Sequence, residues 1–228
     1  MALMHQACEA AKCQHFVGFL TLELPSSIQW ARAYAHLTGV PINDILDIPR
    51  RRAEAQRRLD EIQPEIGLFV MAEMAPYATT VADLVLWVDG QEQMRGVKMD
   101  VLVIDYADKL YAPEVKGNSE YNSMRHVYEG IRRDIADKRA MWTITGCQAT
   151  RPQNDAGKRI DLRHASDSIH KVRVADAVWT LNPREDDGML DIYVAKNRLG
   201  KSGFTVGPLM TDLERARLVP LARELGHW

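Results

Sequence analysis

The stretch from Lys98 to Leu110 constrains the fold most, because it contains the apolar run Val101-Leu-Val-Ile104 followed by Asp105. The run has no alternation of apolar and polar residues, so both faces of the strand it predicts should be covered, as in a parallel sheet with helices on either side. An Asp at the end of such a strand can orient a water on a divalent cation beside a triphosphate. The same Asp could instead cap the following turn, and this stretch alone does not separate the two interpretations.

Other apolar runs predict further strands, and apolar residues at helical spacing predict helices between them. The predicted strands are 16–22, 67–71, 101–105, 141–145, 175–181, 189–195 and 204–206, and the predicted helices are 2–14, 28–39, 42–63, 81–90, 120–138 and 211–228. Strand and helix alternate up to Thr145, after which strand follows strand. This order predicts an α/β fold with a mostly parallel sheet between helices and an antiparallel C-terminal end.

Length and composition favour one soluble domain. The 228 residues are 46% hydrophobic, and 29 Lys and Arg nearly balance 31 Asp and Glu, so any surface for nucleic acid must be local. Cys8, Cys13 and Cys147 lack the spacing of a metal site or a disulfide framework, and the first residues do not resemble a signal peptide. No apolar run has membrane-spanning length, so we expect a protein of the reducing cytosol.

Three polar residues lie at or just past the ends of predicted strands: Glu23, Asp105 and Gln148. We expect them to converge, because the carboxyl ends of parallel strands share one edge, where open α/β sheets bind ligands. Their side chains suit phosphoanhydride hydrolysis, with Asp105 orienting water on a cation, Glu23 taking a proton from the attacking water and Gln148 sensing the terminal phosphate. Each also has a simpler interpretation, since Glu before Pro is often a surface residue and Gln after a strand often a loop hydrogen-bonding group.

The segment from Pro152 to Ser168 is long, polar and Gly-containing, which in a compact domain indicates a functional or mobile loop. Basic residues outnumber acidic ones between 151 and 173, where Arg151, Lys158, Arg159, Arg163, Lys171 and Arg173 face only three Asp. Phosphate contacts with a single strand need Lys and Arg on such a loop. We interpret a second basic cluster, the arginines of residues 50–58, as a solvated helix face rather than a binding patch.

Five motifs, in order along the chain, support a resemblance to a known family. They are LTLELP (Leu20–Pro25), VLVIDYADKL (Val101–Leu110), GCQATR (Gly146–Arg151), DLRHASDSIHKVRVADAV (Asp161–Val178) and VAKNRLGKSG (Val194–Gly203). With this set, from Met1 to about Leu218, the chain resembles the C-terminal motor domain of DnaB-type replicative DNA helicases, especially bacteriophage versions. The resemblance implies a RecA-like P-loop NTPase core that forms a ring, a hexamer, around single-stranded DNA. It also implies ATP and Mg2+ as cofactors and a cytoplasmic location in a bacterium or phage-infected host.

The resemblance also assigns roles to residues of the nucleotide site. Glu23 would be the general base, Asp105 the magnesium-associated acid and Gln148 the link between phosphate and DNA loops. Arg151, at the end of the GCQATR motif, would lie at the nucleotide as well.

Lys196 and Arg198 match basic residues that, in the family, reach the nucleotide of the neighbouring subunit. A cation placed there can stabilise the transition state, as arginine fingers do. Without the resemblance, an ordinary charge pair at a strand end would be the preferred interpretation.

The resemblance also implies a loop that binds the DNA backbone. This loop would contribute Lys158, Arg159, Arg163, His164 and Lys171.

One motif of the family is missing, since the sequence contains no Gly-x-x-x-x-Gly-Lys-Ser/Thr. That loop supplies the amides, lysine and hydroxyl that hold phosphates and magnesium. By the spacing of the other motifs, Met1 falls close to its lysine. We therefore expect residues 1–228 to form a single motor domain, truncated at its N-terminus and lacking the central phosphate-loop strand between strands 141–145 and 175–181. The N-terminal helical domain that contacts primase in the family is missing too, so this chain does not support a primase contact.

Two other functions stay open from the sequence. A RecA or circadian-clock type ATPase would have the same core and another partner, and strand separation of a forked duplex would distinguish a helicase from it. A non-catalytic RecA-fold module, binding single strands or another subunit, would account for the missing loop. In that case Glu23→Gln would change nothing, whereas Arg163→Ala would abolish DNA binding.

Overall fold

A computed structural model describes residues 1–112, 120–149, 159–162, 169–184 and 188–221. The chain divides into two compact units, of which the first comprises residues 1–147 and 214–216 and the second comprises residues 148–213 and 217–228. Each unit contains one four-stranded sheet. Within the described ranges, no helix combines the length and the apolar character that crossing a membrane requires.

The sheet of the first unit is parallel throughout, with the strand order β2-β1-β3-β4. Its strands are β1 (Val17–Thr21), β2 (Phe69–Glu73), β3 (Val101–Asp105) and β4 (Trp142–Thr145). In β3, Val101 and Val103 belong to one buried cluster, and the alternate residues Leu102 and Ile104 are also fully buried. Because successive side chains of a strand point to opposite faces, both faces of β3 are covered, as its unbroken apolar run predicts.

Helices connect and flank these strands. They are α1 (Ala2–Lys12), α2 (Ser26–Thr38), α3 (Ile42–Asp47), α4 (Pro49–Ile62), α5 (Val81–Arg95) and α6 (Glu120–Gly130), which continues as a π-helix at Ile131–Asp137. The single helix predicted over 42–63 is wrong, because Ile48 is extended and separates α3 from α4. A residue before proline disfavours the helical conformation, and Pro49 follows Ile48.

Helix α1 packs on the sheet through small side chains. Its buried residues follow helical spacing along one face and are Met4, Ala7, Cys8 and Ala11. They form one cluster with Val17, Phe19, Val101 and Val103 of the sheet. Ala and Cys bring the helix close to the strands, while Phe19, which is completely buried, fills the space between the layers.

The arginines of helix α4 are exposed, and three of them bind groups of their own chain. Arg51 and Arg58 pair with Glu54 from opposite sides, and Arg52 donates to the carbonyl oxygens of Ile45 and Leu46. This agrees with the interpretation of residues 50–58 as a solvated helix face.

The sheet of the second unit is antiparallel, with the strands in chain order β5-β6-β7-β8. Its strands are β5 (Ala177–Pro183), β6 (Met189–Asn197), β7 (Phe204–Asp212) and β8 (Arg217–Pro220), and α7 (Ile169–Val174) precedes them. The predicted antiparallel C-terminal end is confirmed. The expectation that 175–181 is a buried strand is wrong, because side chains of β5 alternate between exposed and half-buried, as in an antiparallel strand with one solvated face.

The helix predicted over 211–228 is also wrong for the described residues up to 221. Residues 211–212 end β7, and β8 pairs with β7 in antiparallel register. Ala216, which helical spacing places on the apolar face, has a φ of 51°, outside the right-handed helical region. Strand pairing has therefore overridden the helical pattern of this segment.

Strands β4 and β5 lie at sheet edges. β4 pairs with β3 and β5 pairs with β6, and no other described residue forms a strand against the second side of either. Each strand exposes a tryptophan, since Trp142 is 71% exposed and Trp179 is 54% exposed. The absence of a central phosphate-loop strand between 141–145 and 175–181 stays a prediction.

Candidate functional site

The carboxyl ends of β1, β2 and β3 lie side by side. Thr21, the last residue of β1, pairs in register with Glu73 at the end of β2 and with Asp105 at the end of β3. The Leu22 amide then donates to the backbone oxygen of Asp105 at 2.8 Å. Glu23 therefore leaves the sheet at the edge where β3 delivers Asp105, which is the arrangement that parallel strand order predicts.

A glutamine from helix α2 holds the carboxylate of Asp105. The Nε2 of Gln29 donates to Asp105 Oδ2 at 2.6 Å, and Gln29 is completely buried. Its Oε1 has no hydrogen-bond partner among the described residues. A buried acceptor left without a partner costs about 1–3 kcal/mol, so Oε1 is suited to accept from an ordered water or from the water shell of a cation.

Thr145 fixes the backbone around Asp105. Its hydroxyl donates to the Ile104 carbonyl oxygen at 2.9 Å and accepts from the Ala107 amide at 2.9 Å. The two bonds tie the end of β4 to both sides of Asp105, so the position of its carboxylate is set by the backbone as well as by Gln29.

Glu73 is a further carboxylate at this edge, and it caps helix α2. The Ser26 amide donates to Glu73 Oε2 at 2.7 Å. This backbone bond, together with the Ser26 hydroxyl, lowers the pKa of Glu73 and favours its charged form. A negative charge at a helix N-terminus also interacts favourably with the helix dipole. Glu73 therefore stabilises the N-terminus of α2.

Glu23 and Gln148 are both exposed to solvent. A base that acts on an attacking water needs this access, so the exposure of Glu23 suits its predicted role. Gln148 lies three residues beyond β4 in sequence and belongs to the second compact unit. The convergence of Gln148 with Asp105 stays a prediction.

Lys196 of β6 and Arg198, the residue directly after β6, bind the C-terminal end of α7. Arg198 donates to Asp176 Oδ1 at 2.9 Å and to the Arg173 carbonyl oxygen at 2.6 Å. The Lys196 ammonium group lies 2.6, 3.2 and 2.7 Å from the carbonyl oxygens of Val172, Arg173 and Ala175. Cations are favoured at a helix C-terminus by its dipole, so both residues stabilise their own unit here. Their action on a neighbouring subunit stays a prediction.

Two residues of the predicted DNA-binding loop lie in the described part of the chain. The exposed guanidinium of Arg159 lies over the ring of Tyr193, 3.7 Å from its centroid. Lys171 is buried, with 7% of its surface exposed, so its side chain does not face solvent in this arrangement. Lys158, Arg163 and His164, together with the predicted nucleotide contact Arg151, lie outside the described residues.

The oxygen atoms around Asp105 fit a magnesium ion. Mg2+ takes oxygen ligands and is usually held by one or two carboxylates while it keeps several waters. Asp105 supplies an anchored carboxylate, and Gln29 Oε1 beside it is an acceptor for a metal-bound water.

No protein-family model matches the sequence, and no curated protein matches it. Solved structures do match. A DnaB-like replicative helicase, described together with its interactions with primase, has a TM-score of 0.80 at 18% identity, and the match covers 96% of this chain and 54% of that one. The chain has the fold of a DnaB-type helicase ATPase domain. A second solved structure, an ATPase domain, has a TM-score of 0.79 at 18% identity, with 96% and 79% of the two chains covered.

The helicase-type fold confirms the predicted fold class and the resemblance that five short motifs carry. The matched region is partial, since the chain spans about half the length of the DnaB-like helicase, as the 54% coverage states.

Sequence reasoning missed Gln29 and Glu73. The apolar stripe predicted for α2 consists of Ile28, Ala31, Ala35 and Leu37, which excludes Gln29 although it is completely buried. The signal that could have found it is its position in the first turns of the helix that follows Glu23, at the ligand-binding edge. Glu73 lies just past the strand predicted over 67–71, whereas β2 extends to include it.

Proposed function

We propose that this chain is the ATPase motor domain of a replisome DNA helicase, which couples ATP hydrolysis to translocation on single-stranded DNA. Beside the helicase-type fold, one observation supports the proposal. The pairing of β1 with β3 brings Glu23 to the same sheet edge as the anchored carboxylate of Asp105. A base and a metal-associated acid at one edge are the groups that phosphoanhydride hydrolysis uses.

At this edge Asp105 would hold Mg2+, directly or through a water, while Gln29 keeps its carboxylate in place. Bound Mg2+ would neutralise charge on the terminal phosphates of ATP. Glu23 takes the proton from the attacking water, Gln148 senses the terminal phosphate and Arg151 contacts the nucleotide. All 228 residues then form one motor domain, with the two compact units as its parts.

The proposal includes self-association into a ring, expected to be a hexamer, around single-stranded DNA. Lys196 and Arg198 would act across a subunit junction, and in doing so they would exchange the carbonyl oxygens at the end of α7 for nucleotide phosphates. The strand would be bound by Lys158, Arg159, Arg163, His164 and Lys171, of which Lys171 would have to leave its buried position.

A second candidate is a non-catalytic RecA-fold module that binds single strands or another subunit. One observation favours it, since the sequence contains no Gly-x-x-x-x-Gly-Lys-Ser/Thr loop. Without the amides and lysine of such a loop, Asp105 and Glu23 alone would hold phosphates weakly. The two candidates differ in whether the carboxyl edge of the sheet binds ATP with Mg2+.

Replacing Asp105 by Asn tests the main proposal. When the substitution is made in the full-length protein, we expect Mg2+-dependent binding of a fluorescent ATP analogue to weaken roughly 10- to 100-fold, because the carboxylate charge beside the metal is lost. The matched control is Asp100→Asn at the amino end of the same strand, where Asp100 accepts a hydrogen bond from the Phe16 amide at 2.8 Å. Asn keeps that acceptor, so the control should bind normally.

Equal binding by both variants would contradict the assignment of Asp105. If the wild-type protein binds single-stranded DNA but shows neither ATP binding nor hydrolysis, the non-catalytic module is the better account.

Replacing Gln29 by Leu tests how Asp105 is held. We expect Mg2+-dependent nucleotide binding to weaken roughly 10-fold, because the hydrogen bond to Asp105 Oδ2 is lost. The free energy of unfolding should change by less than about 1 kcal/mol, since the unpartnered Oε1 is removed as well. Calorimetric titration and urea unfolding measure the two effects. Gln91→Leu, which removes a glutamine bonded to Arg95 on α5, is the control, and a similar loss of binding in it would refute the assignment.

A further inference from the structure

Two histidines and a glutamate converge on the packed faces of α1 and α2, within the first unit. His5 and Glu9 lie one helical turn apart on α1, and His36 lies in the last turn of α2. The nitrogen and oxygen ligand atoms of the three residues all lie within 4.8 Å of one another. The proposed hydrolysis of ATP uses none of these side chains, so the cluster requires a separate explanation.

The hydrogen bonds of His36 determine which atom faces the cluster. Its Nδ1 lies 3.0 Å from the carbonyl oxygen of Ala216, and a carbonyl can only accept, so Nδ1 carries a hydrogen. Its Nε2 lies 2.8 Å from Glu9 Oε1. In neutral His36 this Nε2 would present a lone pair to a carboxylate oxygen, and two acceptors at that distance repel each other. A cation is therefore needed at Nε2, either a proton or a metal ion.

Burial and the third residue favour a metal ion over a proton. His36 is 1% exposed, and burying a charged imidazolium is costly even when it is paired. A proton shared by His36 and Glu9 would join only these two side chains and would leave His5 without a role. His5 is nevertheless packed against His36, with the ring centroids 5.1 Å apart, and a metal ion could bind all three. A backbone carbonyl on the far ring nitrogen is also the usual support of a metal-bound histidine, because it fixes the tautomer. Ala216 supplies that support.

We propose that His5, Glu9 and His36 form a Zn2+ site that links α1 to α2. Two imidazoles and one carboxylate are a common three-ligand set for zinc, with a water completing the tetrahedron. Small rotations of the half-buried His5 and Glu9 side chains would bring the ligand atoms to coordination distance. Lys12, whose ammonium group now lies 2.8 Å from Glu9 Oε1, is half exposed and can swing into solvent.

Metal titration of the untagged, chelator-treated protein tests the site. Co2+ serves as the spectroscopic probe, and we expect a visible absorption band of tetrahedral Co2+ that Zn2+ abolishes by displacement. At a Zn2+ concentration about 100 times the dissociation constant, the melting temperature should rise by roughly 5–10 °C. Cys13 and Cys147 are exposed thiols, so the same spectra are recorded for Cys13→Ser/Cys147→Ser, in which the band should persist.

His5→Gln is the decisive variant, because His5 is only half-buried and its loss should leave the fold intact. We expect it to weaken Co2+ and Zn2+ binding roughly 100-fold or more. His15→Gln, at an exposed histidine near Asp100, is the matched control and should bind as the wild type does. No Zn2+-dependent rise in melting temperature, or equal binding by both variants, would overturn the proposal and leave His36 as an imidazolium paired with Glu9. The melting temperature of metal-free His5→Gln shows whether the variant is folded, and ATP binding is not a readout here.

Discussion

Glu23→Gln is expected to lower the rate of DNA-stimulated ATP hydrolysis by roughly 10²- to 10⁴-fold, the range that general bases contribute. The amide has nearly the same shape as the carboxylate but cannot take a proton from the attacking water. Since Glu23 is exposed, its replacement should not disturb packing. A general base would act only in the transition state, so affinity for ATP with Mg2+ should stay within about twofold. A coupled phosphate-release assay and calorimetric titration measure the two quantities separately.

Glu73→Gln is the matched control for this prediction, since Glu73 is the other glutamate at the same sheet edge. Its carboxylate binds the Ser26 amide at 2.7 Å, so the variant should weaken the N-terminal cap of α2 and leave hydrolysis nearly unchanged. If Glu73→Gln abolished hydrolysis while Glu23→Gln did not, the base would be Glu73 and the proposed division of roles at this edge would be incorrect.

Gly67→Ala is expected to destabilise the first unit by about 3 kcal/mol, at the upper end of the usual cost of overpacking. A Cβ at this position would lie 2.1 Å from the His15 carbonyl oxygen and 2.6 Å from the Gln14 carbonyl carbon. Both are backbone atoms, so no side chain can rotate away to relieve the clash. The Gly67 amide also donates to the Ala11 carbonyl oxygen at 2.7 Å, which holds the two segments together where the clash would arise.

Gly90→Ala is the control, because Gly90 is an exposed residue inside helix α5 and a Cβ there would meet no atom within 4 Å. Alanine should stabilise that helix by about 0.5–1 kcal/mol. Differential scanning calorimetry should therefore show opposite shifts, with the melting temperature of Gly67→Ala lower by roughly 6–12 °C. Equal stability of the two variants would mean that the segment at Gly67 is free to move away from His15.

The strands of the first unit could be predicted because each has a continuous apolar run, and burial on both faces leaves no other environment for residues such as Leu102 and Ile104. Boundaries were less accurate, since β2 begins two residues later than predicted and ends at Glu73. Residues 211–228 were wrongly predicted as a helix, because their apolar residues also fit helical spacing. Only pairing with β7 determines that Arg217–Pro220 is a strand. A short apolar pattern does not contain that tertiary information.

The site was predictable where strand ends determine it. Asp105 and Glu23 could be placed at one edge because parallel order alone brings the ends of β1 and β3 together. The burial of Gln29 and its bond to Asp105 could not be predicted, because the acceptor lies on a strand distant in sequence. The role of His36 could not be predicted for the same reason, since its partners are distant in sequence: Glu9 on α1 and the carbonyl oxygen of Ala216.

The two sheets should differ in the time they need to form. In the second unit each strand pairs with the next one along the chain, so β5 to β8 can assemble from local contacts. In the first unit β1 pairs with β3. The ribosome must synthesise five elements between these two strands before β3 is available, namely α2, α3, α4, β2 and α5. Non-local parallel pairing is slow to nucleate, and unpaired apolar strands are prone to aggregate meanwhile. The yield of folded protein is therefore expected to depend on the time that passes on the ribosome between the synthesis of β1 and that of β3.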